Sequence, residues 1–123
     1  MAKIFDLESD GLLDSMTKIH CIAYYDTETK ELKQFGPGDI DQAIADLAAE
    51  PLICGHNVIG FDVPAIRKIY PEFTHSNVID TLVLSRLIHP NIKDRDFLRR
   101  PEGMDTKLFG KHSLKAWGFR LGE

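Results

Sequence analysis

Residues 3–8, Lys3-Ile4-Phe5-Asp6-Leu7-Glu8, alternate with a period of two, which predicts an extended strand with Ile4, Asp6 and Glu8 on one face and Phe5 and Leu7 on the other. An acid pair on an otherwise apolar strand constrains the fold. The Phe5 face has to be buried in a sheet, while the two like charges must either meet solvent or share a counter-charge. Carboxylates two residues apart point the same way and reach one divalent cation together. The other reading is a pair of solvated acids at a sheet edge, and the dipeptide pattern alone leaves both open.

The segments Lys18 to Tyr25 and Leu32 to Phe35 read as two further strands, joined by the turn-rich Asp26-Thr27-Glu28-Thr29-Lys30 into an antiparallel meander that ends at Gly36-Pro37-Gly38. From Asp39, a candidate N-cap, the spacing of Ile40, Ile44 and Leu47 predicts an amphipathic helix closed by Pro51. Leu52-Ile53-Cys54 is a short apolar run of the kind buried on both faces of an α/β sheet, with Gly55-His56-Asn57 as its outgoing loop. A second helix is predicted from Phe61-Asp62, with Pro64 in its first turn, to about Tyr70. Asn77-Val78-Ile79 forms another apolar run. Asp80-Thr81 then cap a helix bearing Leu82, Leu84, Leu87 and Ile88. His89 to Gly110 holds three Asp, three Arg and two Pro without an apolar period and reads as an exposed loop, before a short helix from His112 to Trp117. Three strands, a helix and two strand-helix units predict a mixed α/β sheet flanked by helices.

A length of 123 residues predicts one domain, 1–123, and a composition 43% hydrophobic and 28% charged predicts a folded one. The net charge of -4 gives no overall basic field, so any DNA binding rests on a local patch or on cations. No apolar run approaches the ~20 residues that span a bilayer, which predicts an intracellular protein with no membrane partner. Cys21 and Cys54 lie in apolar segments and read as reduced, buried thiols. Zinc is a poor fit to His20, Cys21, Cys54 and His56, since adjacent His20 and Cys21 point to opposite faces of a strand.

A second cluster, Gly55-His56-Asn57-Val58-Ile59-Gly60-Phe61-Asp62-Val63-Pro64, runs from a strand end through an Asn to a Phe-Asp at a helix start. Sites collect at such strand ends, and Asp62 could face the same cleft as Asp6 and Glu8 or simply cap its helix. Together with Asp10-Gly11-Leu12, these segments resemble the first and second exonuclease motifs of the DEDD superfamily. The stretches Val78-Ile79-Asp80-Thr81-Leu82-Val83-Leu84-Ser85-Arg86-Leu87-Ile88-His89 and Phe109 to Glu123 are similar to the N-terminal 3′ to 5′ exonuclease domain of T-odd phage, family A DNA polymerases. The resemblance implies the RNase H-like exonuclease fold, C-terminally truncated here, and a proofreading nuclease that acts on a single-stranded DNA 3′ end in the bacterial host cytoplasm.

It further implies two divalent cations, Mg or Mn, held by Asp6, Glu8 and Asp62. Asp6 would bridge both ions, Glu8 would hold the ion carrying the nucleophile, and Asp62 would act on the second through water. Leu12, Asn57 and Phe61 would meet the substrate. The family's fourth acid lies in a Tyr-x-x-x-Asp on a later helix, and no such spelling occurs in residues 1–123. His89-Pro90-Asn91-Ile92-Lys93-Asp94 offers an acid at the wrong spacing, where Pro90 is expected to break a helix. The chain is therefore expected to work with a polymerase domain or a second polypeptide. The alternative is an inactive module that binds single-stranded DNA or protein. Lys93, Arg95, Arg99, Arg100, Lys107 and Lys111 are candidate phosphate contacts, or ordinary solvated charge.

Overall fold

The strand that carries Asp6 and Glu8 is the middle of a sheet and not its edge. In the computed structural model, which describes residues 2–123, β1 (Ala2–Ser9) pairs antiparallel with β2 (Ile19–Asp26) and parallel with β4 (Leu52–Gly55). β3 (Glu31–Phe35) extends the meander on one side and β5 (Val78–Asp80) lies parallel to β4 on the other, giving the order β3-β2-β1-β4-β5. This five-stranded mixed sheet with flanking helices is the α/β architecture that the order of elements predicts.

The chain divides into two compact units, one ending at Thr81 and the other spanning Leu82–Glu123. In the first, α1 (Ile40–Ala49) and α2 (Val63–Ile69) cover the face of the sheet that bears Phe5, Leu7, Ile22, Tyr24 and Ile53. Ile40, Ala43, Ile44 and Leu47 of α1 and Val63, Ala65 and Ile66 of α2 complete this core, together with Met16, Val58 and Phe73. Each fully buried Ile or Leu here contributes roughly 1.5–3 kcal/mol. Lys3 ties β1 to the end of α1 through Glu50, with Nζ 2.5 Å from Oε2, and Tyr24 donates to Asp46 at 2.6 Å.

The opposite face follows from the same alternation. Leu32, Tyr25, Ile4, Cys54 and Ile79 are register partners in turn and form an apolar row across all five strands. Leu32 is 62% exposed, Ile4 46%, Ile79 39% and Tyr25 38%. The expectation that Leu52-Ile53-Cys54 is buried on both faces therefore holds only for Ile53, because α1 and α2 pack on the other face and, among the described residues of the first unit, no helix covers the Cys54 face. For the same reason Cys21, opposite Glu8 on that face, is an exposed free thiol and Cys54 a half-buried one, which corrects the expectation of buried thiols. Asp39 precedes α1 but makes no side-chain cap hydrogen bond.

In the second unit, α3 (Thr81–Ile88) leads to α4 (Ile92–Arg99), a 3-10 turn (Thr106–Leu108) and α5 (Leu114–Leu121). The region expected to be one exposed loop thus contains a helix. Pro90 does not prevent it, because Asn91 takes the N-cap position and the helix starts one residue later. The unit is held from inside by charge: Asp96, buried on α4, accepts from Arg120 Nε at 2.9 Å and Nη2 at 2.7 Å and from the Gly110 N–H at 2.9 Å. Ser113 caps α5 by accepting from the Ala116 N–H. Leu84, Leu87 and Ile88 of α3 remain exposed, so its apolar face is not covered.

Candidate active site

Asp6 and Glu8 stand on the uncovered face of β1, opposite Ala23 and Cys21 of β2, and both are exposed. Their common face, read from the alternation, is where the structure places them. Asp62 reaches the same strand from the neighbouring element. β4 pairs with β1 only from Ala2↔Leu52 to Ile4↔Cys54, so the edge of β1 beyond Ile4 is left without a strand partner on that side. Asp62 enters there. The Leu7 N–H, between the two acids of β1, lies close enough to its carboxyl group to pull its pKa down.

Three local features bring Asp62 to that position. Gly55 ends β4 where a Cβ would lie 2.7 Å from the Phe5 carbonyl oxygen and 2.3 Å from Val58 Cγ1, so only glycine lets the chain turn this close to β1. Asn57 follows in the left-handed region at φ 61°, a conformation Asn tolerates better than most residues. Then Val58–Asp62 forms one turn of π-helix, with the Val63 N–H bonded to the Val58 carbonyl, and the widened turn moves Asp62 inward. Asp80, at the end of the adjacent β5, anchors the loop by accepting from the Asn57 and Ile59 N–H groups, each at 2.9 Å.

Asp62 is not a helix cap, since its side chain makes no cap hydrogen bond. It is only 4% exposed and, among the described residues, its buried Oδ2 has no partner. Burial first, then the negative charge of Asp6, pushes its pKa up to about 7, against the pull of the Leu7 N–H. A buried carboxylate short of one partner and facing another acid is a group that a divalent cation would satisfy. Among the described residues no three His, Cys, Asp or Glu side chains are already gathered as a metal cluster. The arrangement is an Asp6 and Asp62 pair, with Glu8 one strand step further on.

The other predicted residues divide by environment. Leu12 is 79% exposed in the loop after β1, and its carbonyl closes a turn by accepting from the Ser15 and Met16 N–H groups. Asn57 is exposed, while Phe61 is half-buried and packs against the core. Asp94 is exposed in the first turn of α4. Asp80 is the residue that sequence reasoning read only as a helix cap. The usable signal was the pairing of two apolar runs with polar ends, Cys54-Gly55-His56-Asn57 and Val78-Ile79-Asp80, since adjacent parallel strands bring such ends together.

An acid-bearing central strand in a sheet ordered β3-β2-β1-β4-β5, with a further acid, Asp62, at the start of the helix that follows the next parallel strand, defines an RNase H-like domain. The family model of the RNase_H superfamily matches residues 3–96, and the chain belongs to that superfamily. Over 132 aligned positions it is 45% identical to the DNA-directed DNA polymerase of Escherichia phage T7 and 44% identical to that of Enterobacteria phage T3. Each alignment covers 98% of this chain and 19% of the polymerase, so the chain spans about a fifth of the length of these relatives.

Proposed function

We propose that this chain is the front part of a 3′ to 5′ DNA exonuclease domain of a phage-type DNA polymerase, and that it hydrolyses phosphodiesters with two divalent cations to release 5′ nucleotides. The observation that carries this reading is Asp62, a buried acid with an unpartnered oxygen, set against the β1 strand that carries Asp6 and Glu8. The similarity to phage DNA polymerases supports DNA as the substrate and a polymerase domain as the partner. Asp6, Glu8 and Asp62 would hold the Mg or Mn ions. When bound, such ions lower the pKa of water and stabilise the leaving 3′ oxygen.

The chain's own groups prepare that chemistry. Burial against β1 holds the Asp62 carboxyl, and Asp80 fixes the loop that delivers it. Leu12, exposed in the loop after the acidic strand, would meet the terminal base, and Asn57, exposed after β4, would offer it a polar side chain. Phe61 supports the floor by packing inward. The fourth carboxylate of the mechanism is supplied, in this reading, from outside residues 1–123, by a polymerase segment or a second polypeptide. Without it Asp6, Glu8 and Asp62 would offer the cations fewer ligands and hold them more weakly. A non-cutting module that binds single-stranded DNA is the second reading, and the three-acid count favours it for the chain alone.

The test is a gel assay with 5′-labelled single-stranded DNA and Mn, using the chain joined to a segment carrying the family's Tyr-x-x-x-Asp. Stepwise shortening from the 3′ end is expected, lost in Asp6→Ala/Glu8→Ala and unchanged in Asp94→Asn. Internal cuts, or turnover that survives the double substitution, would remove the exonuclease assignment. Loss of activity in Asp94→Asn would instead move the fourth acid to α4.

A further inference from the structure

Helices α4 and α5 and the residues next to them border a cavity of about 450 Å³, within the range of small-molecule sites. Its wall combines three arginines, Arg95, Arg99 and Arg120, with the rings of His89, Trp117 and Phe119. Arg95 and Arg99 are four residues apart on α4, hence on one helix face, and both are exposed. Among the described residues neither takes part in an ion pair.

Arg120 plays a different part. Its Nε and Nη2 are used by Asp96, and Nη2 also by the Lys111 carbonyl at 2.7 Å, while its buried Nη1 has no acceptor among the described residues. The side chain is 7% exposed, so water does not readily serve that nitrogen. That nitrogen is enclosed in the wall, and Arg120 serves the cavity through its stacking on Trp117. Asp96 does not oppose an anion, because its charge is already matched by Arg120, and Glu102 is an exposed residue of the wall.

The aromatic part of the wall is held rigidly. Trp117 Nε1 donates to Ser85 Oγ at 2.7 Å, the Arg120 guanidinium lies 4.9 Å from the Trp117 ring centroid, and the His89 ring stands 5.3 Å from it. An oriented, half-exposed indole beside free guanidinium groups matches a ligand with one planar π-system and one attached anion. A simple anion would leave the rings unused, and an uncharged aromatic would leave the arginines unused.

We propose that this cavity is a nucleotide site, separate from the carboxylate site on β1, that stacks a nucleobase on its aromatic wall and takes the attached phosphate on Arg95 and Arg99. The nucleotide is either free or part of a single strand, and the two share the same chemistry.

Trp117 is the only tryptophan in the chain, so its fluorescence reports this site alone. The 123-residue chain is titrated in chelator, to prevent turnover, with dAMP, with a short single-stranded oligodeoxyadenylate and with inorganic phosphate. Saturable quenching by dAMP or by the oligonucleotide is expected, and not by phosphate. Quenching by dAMP assigns the free nucleotide, and quenching by the oligonucleotide alone assigns a nucleotide within a strand. Arg95→Gln/Arg99→Gln, two exposed substitutions whose folding is checked by circular dichroism, should weaken it at least about tenfold. Asp6→Ala/Glu8→Ala should leave it unchanged, which keeps this test apart from that of the catalytic site. No saturable quenching up to millimolar nucleotide, an unaltered affinity in the arginine variant, phosphate acting as well as dAMP, or loss in the acid variant would each overturn the proposal.

Discussion

Asp62 is the residue whose environment has the clearest measurable consequence. Its folded-state pKa of about 7 lies above the ordinary carboxylate range, so the folded chain binds that proton more tightly than the unfolded chain does. The stability this contributes is fully present below pH ~4 and is lost as pH rises through ~7, an effect on the order of 2–4 kcal/mol. Asp10, Asp26, Glu50 and Asp96 act in the opposite sense, because hydrogen bonds and cations hold their pKa values down and acid removes their contribution. Comparison with Asp62→Asn isolates the first effect. In metal-free buffer, urea midpoints of the wild type should fall between about pH 5 and about pH 8, while those of the variant stay nearly level over that window. Parallel profiles would show that Asp62 is not held protonated. A second expectation concerns binding: Mg or Mn should give measurable heat with the wild type and much less with Asp6→Ala in titration calorimetry, and equal heats would remove the metal site.

At the scale of elements, the region between His89 and Gly110 shows what periodicity misses. Ile92–Arg99 carries its helical information in one buried apolar residue, Ile92, and one buried acid, Asp96, while Phe97 and Leu98 are largely exposed. An apolar count finds no stripe there. The element is stabilised by the Asp96 to Arg120 pair, which links α4 to α5 across 24 residues of sequence. Removing one partner of a buried, doubly bonded pair leaves the other charge uncompensated, at a cost of about 3–5 kcal/mol. Asp96→Ala is therefore expected to melt α4 and α5, seen as lost helical circular dichroism and lost Trp117 cation–π contact, and it should do so more severely than Asp94→Ala at the exposed position two residues earlier. Equal effects of the two would deny Asp96 this role. β1 is the opposite case. Its facing was legible because a period of two leaves no choice once Phe5 and Leu7 must be buried.

For the molecule as a whole, the row Leu32, Tyr25, Ile4, Cys54 and Ile79 is the feature that most affects behaviour in solution. A contiguous apolar stripe on a sheet face promotes self-association, and sedimentation of the chain should depend on its concentration. Leu32→Glu, at the most exposed position of the row, should reduce that dependence while changing unfolding free energy by less than about 0.5 kcal/mol. Association unaffected by the substitution, or a large loss of stability, would mean that the row is not a free surface.

The sequence by itself determined the strands and helices of the first unit and the common face of Asp6 and Glu8, since alternation, helical spacing and turn residues act over a few neighbours and are written locally, and its motifs carried the resemblance to the RNase H-like exonucleases. Tertiary structure decided the rest. Whether Asp62 is a cap or a buried acid depended on Gly55, Asn57 and a π-turn meeting the free edge of β1. The exposure of Cys21 and the half-burial of Cys54 depended on α1 and α2 packing on the other face, and α4 exists because an arginine 24 residues away neutralises its buried aspartate. Burial, and with it the charge state of a carboxylate, is a property of what lies around a group in space, and that surrounding is assembled from segments whose distance along the chain carries no local signal.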